Sequence, residues 1–112
     1  MEDVRVFECD VPLRHGRDVT DVLSHAWAER ANFVAIPVAH LDQDFFRLRT
    51  GIAGEVLQKF VTYKMRVAIV GDISGYLAES TALRDFVYET NRGDQVWFVP
   101  TMDVLEKRLR KL

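Results

Sequence analysis

The chain has 112 residues, 48% of them hydrophobic, which suits one packed domain and leaves no spare length for a second. A net charge of −2, with Lys and Arg scattered among Asp and Glu, gives no broad attraction to nucleic acid or anionic lipid. Cys9 is the single cysteine, no apolar run approaches the roughly 20 residues that span a bilayer, and Met1-Glu2-Asp3 opens no signal-peptide core. The expected setting is reducing and cytoplasmic.

Val4 to Cys9 alternates and is β-branched, which predicts a first strand, interrupted by Pro12 and the polar Arg14-His15-Gly16-Arg17. From Asp18, read as an N-cap, Val19, Val22, Leu23, Ala26 and Trp27 fall on one face of a helix running to about Arg30. Phe33-Val34-Ala35-Ile36, closed by Pro37, is a continuous apolar run and predicts a strand covered on both faces. Ala39 to Arg49 mixes charges with Leu41, Phe45, Phe46 and Leu48, and is read as a loop with one helical turn. Its two aromatics either anchor that loop to the core or form a contact patch.

Gly51 to about Tyr63 predicts a second long helix. Ile52, Val56, Phe60 and Tyr63 face inward, and Glu55, Gln58 and Lys59 form a polar ridge that is a candidate partner surface. Lys64 to Val70 reads as a central strand stopped by Gly71-Asp72. A Gly/Ser loop through Gly75 then leads to Ser80, the N-cap of a helix bearing Leu83, Phe86, Val87 and Thr90, with Gly93 as its left-handed terminator. Val96 to Val99 is the fourth strand, and Thr101 caps a last helix with Leu105, Leu109 and Leu112 inward. The alternation βαβαβαβα implies a small α/β domain: a mainly parallel four-stranded sheet with helices on both faces.

In such sheets ligands gather beyond the carboxyl ends of the strands. The turns carrying Arg49, Thr50 and Gly51, and then Gly71 and Asp72, are both expected on that rim. The start of the second long helix, from Gly51 to Gly54, offers unpaired N–H groups to a phosphate or carboxylate, with Arg49 and Thr50 assisting. The plainer reading has Thr50 cap that helix while the two glycines permit close packing on the sheet. No Walker motif, no Gly-x-Ser-x-Gly elbow and no metal-ligand spacing among His15, His25 and His40 is present, so no catalytic residue, metal or cofactor is expected.

Three motifs carry a resemblance: Phe45 through Phe60, Ala68-Ile69-Val70-Gly71-Asp72, and Leu83 through Gly93. Together they resemble the bacterial family known as domain of unknown function 4180, over most of the chain from about Phe33. That resemblance implies kinship and no particular reaction. Two departures from the family pattern stand out: the chain starts almost inside what would be the second strand of an N-terminal hairpin, and the loop from Tyr76 to Leu83 is long. A fainter similarity, of topology alone, is to the STAS domains of anti-sigma-factor antagonists, where a phosphorylatable serine opens the corresponding helix. Thr50 stands at that position here.

Two functions are therefore expected. The first is a non-enzymatic, STAS-like regulatory or protein-interaction domain, with Thr50 as a switch and Glu55, Gln58 and Lys59 facing a protein partner. The alternative is a small-anion or nucleotide binder using Thr50, Gly51 and Asp72, with Asp72 able to add weak catalysis. A homodimer through the first strand or the Phe45-Phe46 patch is a third arrangement.

Overall fold

The computed structural model describes residues 3–111. Strands β1 (Val6–Glu8), β2 (Phe33–Pro37), β3 (Arg66–Val70) and β4 (Val96–Val99) form one sheet in the order β1-β2-β3-β4. Every pairing is parallel, with Val34 opposite Val67 and Val67 opposite Val96. The helices are α1 (Gly16–Ala28), α2 (Ile52–Thr62), α3 (Ser74–Glu79), α4 (Thr81–Arg92) and α5 (Met102–Arg110).

Because the strand order never reverses, the helices joining consecutive strands must all lie on the same side of a sheet with right-handed crossovers. Val34, Ile36, Val67, Ile69 and Phe98 accordingly share one core with Val22 and Leu23 of α1, Val56 and Phe60 of α2, and Leu83 of α4. Among the described residues only α5 crosses to the other face, where Leu105 packs on Phe33, Ala35, Ala68, Trp97 and Val99. Arg108 completes this thinner layer: its guanidinium sits 4.0 Å from the Trp97 ring centroid and donates to the Asn91 carbonyl at the end of α4. Burial and the nearby Arg66 both push the Arg108 pKa down. Arg66 lies over Phe33 and Trp97 and donates through Nε to the Asp94 carbonyl at 2.6 Å.

Several elements differ from the sequence expectations. The region after β2 is three successive 3-10 turns, Val38–His40, Gln43–Phe46 and Leu48–Thr50, pinned by Phe45 and Phe46, which are 1% and 2% exposed. The aromatic pair is therefore an anchor and not a contact patch. The expected Gly/Ser loop is α3, whose first turn is held by Asp72 accepting the Ser74 N–H at 2.9 Å, and whose Tyr76 and Leu77 reach the core. Asp18 lies inside α1, its carboxylate accepting the N–H groups of Arg14 at 2.8 Å and His15 at 3.2 Å. Trp27 and Tyr63, expected inward, are about half exposed and meet edge to face at 5.7 Å across the outer ends of α1 and α2. Gly93 is extended, with φ −87°, so α4 has no left-handed terminator. Leu105 and Leu109 face the sheet as expected; Leu112 lies outside the described residues.

The left-handed residues other than glycine are Arg30 (φ 59°) and Lys64 (φ 58°). They end α1 and α2 in the same way. Ala31 N–H reaches the Ala26 carbonyl and Arg30 N–H that of Trp27; Met65 N–H reaches Phe60 and Lys64 N–H reaches Val61. These are paired Schellman closures, each placing a buried residue, Ala31 or Met65, just ahead of the following strand.

Two stability tests follow from these helix ends. Lys64→Gly relieves a non-glycine residue of left-handed strain and is expected to raise stability by about 0.5–1 kcal/mol in chemical denaturation. Asp18→Ala removes the acceptor for two amides and is expected to cost about 1 kcal/mol at neutral pH. The hydrogen bonds from Arg14, and then from His15, hold the folded-state Asp18 pKa below its ordinary value. Its contribution is therefore complete above the unfolded pKa of about 4 and is lost as pH falls through the folded value. The gap between parent and variant should close on acidification.

Candidate functional site

The carboxyl rim is where β2, β3 and β4 release the chain. Gly71, with φ 145°, leaves β3 directly against Val38, and a Cβ built there would lie 2.7 Å from a Val38 methyl. A side chain at this position would push apart the exits of β2 and β3. Glycine thus fixes the 3-10 turns of residues 38–50 beside Asp72.

Between them opens a cleft of about 800 Å³, bordered by Phe46, Arg47, Arg49, Asp72, Tyr76 and Glu79. Phe46 and Tyr76 stack nearly parallel, with ring centroids 4.4 Å apart, and join the turn segment to α3. The charges are divided by element: the arginines come from the turns after β2, and the carboxylates from the exit of β3 and from α3. Arg47 lies 3.5 Å from Asp44. Among the described residues, no ion pair within 4.0 Å involves Arg49, Asp72 or Glu79. Asp72 is solvent-exposed, and hydrogen bonds from the Ser74 backbone and then its side chain lower its pKa. It is a carboxylate at neutral pH.

A second, smaller crevice of about 260 Å³ lies between the ends of β3 and β4, with Ile73, Leu77, Val87, Phe98 and Pro100 among its walls. Its position has a topological cause. After β3 the chain turns to the crowded face, after β4 it crosses to the α5 face, and such a parting of neighbouring connections leaves a gap. Asp72 lines both cavities.

Of the residues singled out from the sequence, Arg49 and Asp72 share the cleft, while Thr50, Gly51 and Gly54 line neither cavity. Thr50 Oγ1 lies 2.7 Å from the Asp44 carbonyl and 2.8 Å from that of Arg47, and accepts the Ile52 N–H at 3.3 Å. It ties down the turns, while the N-cap of α2 is Gly51 and not Thr50 as expected. Gly51 is left-handed, with φ 78°, where the last 3-10 turn meets α2. Gly54 is exposed, and a Cβ added to it would meet nothing within 4 Å, so it serves no close packing on the sheet. Tyr76 and Glu79 escape sequence reasoning because α3 does, and Arg47 because the 3-10 turns after β2 do.

On the polar ridge of α2, Gln58 donates to Thr62 at 3.3 Å, and Lys59 is half-buried. Glu55 is engaged within the chain: its Oε1 accepts the Gly16 N–H at 2.9 Å, capping the start of α1 from a neighbouring helix. A Cβ at Gly16 would lie 2.5 Å from that oxygen, so any side chain there would displace Glu55 from its present position. Cys9 is 2% exposed and donates its thiol to the Val11 carbonyl, and burial pushes its pKa up. That is the reverse of an activated nucleophile. Among the described residues no group of three or more His, Cys, Asp or Glu side chains could hold a metal ion, and no helix is long and apolar enough to cross a membrane.

The family described as Domain of unknown function (DUF4180) matches residues 2–109. The chain belongs to this family. No curated protein and no solved structure matches it. Membership covers the cleft, the crevice and both long helices, so the rim of this DUF4180 domain is part of the family's own fold and not an appendage to it.

The bond from Gly16 to Glu55 is open to test. Glu55→Ala strands a helix N-terminal amide and is expected to lower unfolding free energy by about 1 kcal/mol in urea, while Glu55→Gln keeps most of the stability. Equal stability of all three proteins would show that the contact contributes nothing.

Proposed function

We propose that this DUF4180 domain is a receptor for a small charged molecule, held on the carboxyl rim between Arg49 and Asp72. The observation that carries this reading is the division of unpaired charge across one cleft: a guanidinium on one side, carboxylates on the other, and a stacked aromatic pair between. Opposite charges that border a common space without neutralising each other keep their hydrogen-bonding capacity for a ligand. Binding is favoured over acid–base chemistry. A general acid or base works best with a pKa near the operating pH, and Asp72 is shifted the other way.

A second reading, a STAS-like regulatory domain switched at Thr50, is supported by the exposure of that residue at the mouth of α2. A phosphoryl group would break the hydroxyl's bonds to the Asp44 and Arg47 carbonyls and set a dianion at a helix N-terminus. Gln58 and Lys59 then lie on the face offered to a partner. Phosphopeptide mapping of the protein from its native cells separates the readings, since a Thr50 that is never modified removes the switch.

The receptor reading is tested by thermal-shift measurements with carboxylates, phosphorylated metabolites, nucleotides and amino acids. A bound ligand at about 100 times its Kd should add roughly 2.7 kcal/mol of stability. The expected response is specific to one ligand class, lost in Arg49→Ala and Asp72→Asn, and retained in Gln58→Ala. A flat response across the panel would remove the receptor reading.

A further inference from the structure

The two cavities on the rim share a wall. Helix α3 presents Tyr76 and Glu79 to the cleft and Leu77 to the crevice, and Asp72 stands where the two spaces meet. A ligand lying across Asp72 therefore meets a charged space on one side and an apolar one on the other. Resting on the receptor reading above, we infer that the ligand is an α-amino acid, or a zwitterion of the same class, with an apolar side chain. Its carboxylate lies on Arg49, its ammonium on Asp72, and its side chain in the crevice.

Each part follows from a named group. The crevice is walled mostly by hydrocarbon from Ile73, Leu77, Val87, Phe98, Val99 and Pro100; of its polar side chains, Ser74 bonds Asp72, and the Asn91 amide is already committed, donating to the Phe98 carbonyl at 3.1 Å and accepting the Phe98 N–H at 2.6 Å. What enters there is therefore apolar. At about 260 Å³ the crevice has room for a leucine or phenylalanine side chain. At the junction, one oxygen of Asp72 accepts the Ser74 amide. The Ser74 hydroxyl also bonds this carboxylate, which is exposed and keeps lone pairs for a cationic donor. On the far side Arg49 offers a planar fork suited to a carboxylate.

The sign of the cleft also argues against a polyanion. Arg47 is taken up by Asp44, and the remaining Arg49 faces both Asp72 and Glu79. A nucleotide triphosphate would meet more negative than positive charge. A molecule with one anion, one cation and one short apolar group has a counterpart for each among Arg49, Asp72 and the crevice.

Isothermal titration calorimetry on the full chain tests this with L-leucine, L-phenylalanine and three truncations: glycine without the side chain, N-acetyl-leucine without the ammonium, and isoamylamine without the carboxylate. Leucine or phenylalanine is expected to bind roughly tenfold or more tightly than each truncation. Asp72→Asn should weaken leucine by a similar factor. Val87→Trp and, separately, Leu77→Trp fill the crevice from opposite sides; either one, if folded by circular dichroism, should weaken leucine while leaving glycine unchanged. Equal affinity for leucine and glycine would overturn the crevice assignment. Binding of phosphate or citrate through Arg49, with no response to any amino acid, would overturn this inference and leave the receptor reading standing. No heat with any of these compounds at millimolar concentration would remove both.

Discussion

Two five-residue strands, β2 and β3, run side by side in parallel with almost no water on either face, and every other placement in the domain depends on that pairing. Buried on both sides, they must be apolar throughout, and parallel strands must be joined by a crossover that returns the chain to the same edge. Repeating the step in one direction stacks α1, α2 and α4 on one face. The opposite face is left to α5 and the arginines that cap it. The same repetition sends every strand out toward one rim, which is why a cleft can be built there from segments far apart in sequence.

The elements most legible in the sequence are those governed by this constraint. Phe33 to Ile36, Val67 to Val70 and Val96 to Val99 announce themselves as apolar runs, and Ser80 and Thr101 cap helices as their side chains suggest, accepting the N–H groups of Leu83 and Val104. Less legible are features whose cause is tertiary. Ser74 and Gly75 read as breakers, yet a short helix forms because Asp72 holds its first turn and Tyr76 stacks on Phe46. Trp27 and Tyr63 have the right spacing for an inward face but sit past the end of the sheet they would cover, and pack on each other instead. At Gly93 the usual reason for glycine is absent. Arg108, reaching from α5, donates there to the Asn91 and Gly93 carbonyls.

The site divides in the same way. That Arg49 and Asp72 share a rim follows from parallel topology, which the alternation of strands and helices already implies. Whether Thr50 also faces that space depends on the path of residues 42–50, and there the hydroxyl is tied to the Asp44 and Arg47 carbonyls of the turns before it. Glu55 carries a related lesson. An acidic residue on a polar helix face looks idle in sequence, and its use becomes visible only once α1 is seen to begin beside it at a glycine.

The contrasting surroundings of the two tryptophans give the domain a built-in pair of optical reporters. Trp97 is sealed between strands and helix with guanidinium groups over its ring and its indole N–H given to the Gly93 carbonyl, whereas Trp27 is open to solvent beside Tyr63. Emission from the first is set by a dry, cation-bearing environment and that from the second by bulk water. Loosening of the thin α5 layer and rearrangement at the outer ends of α1 and α2 can therefore be followed as separate spectral events in the unlabelled protein.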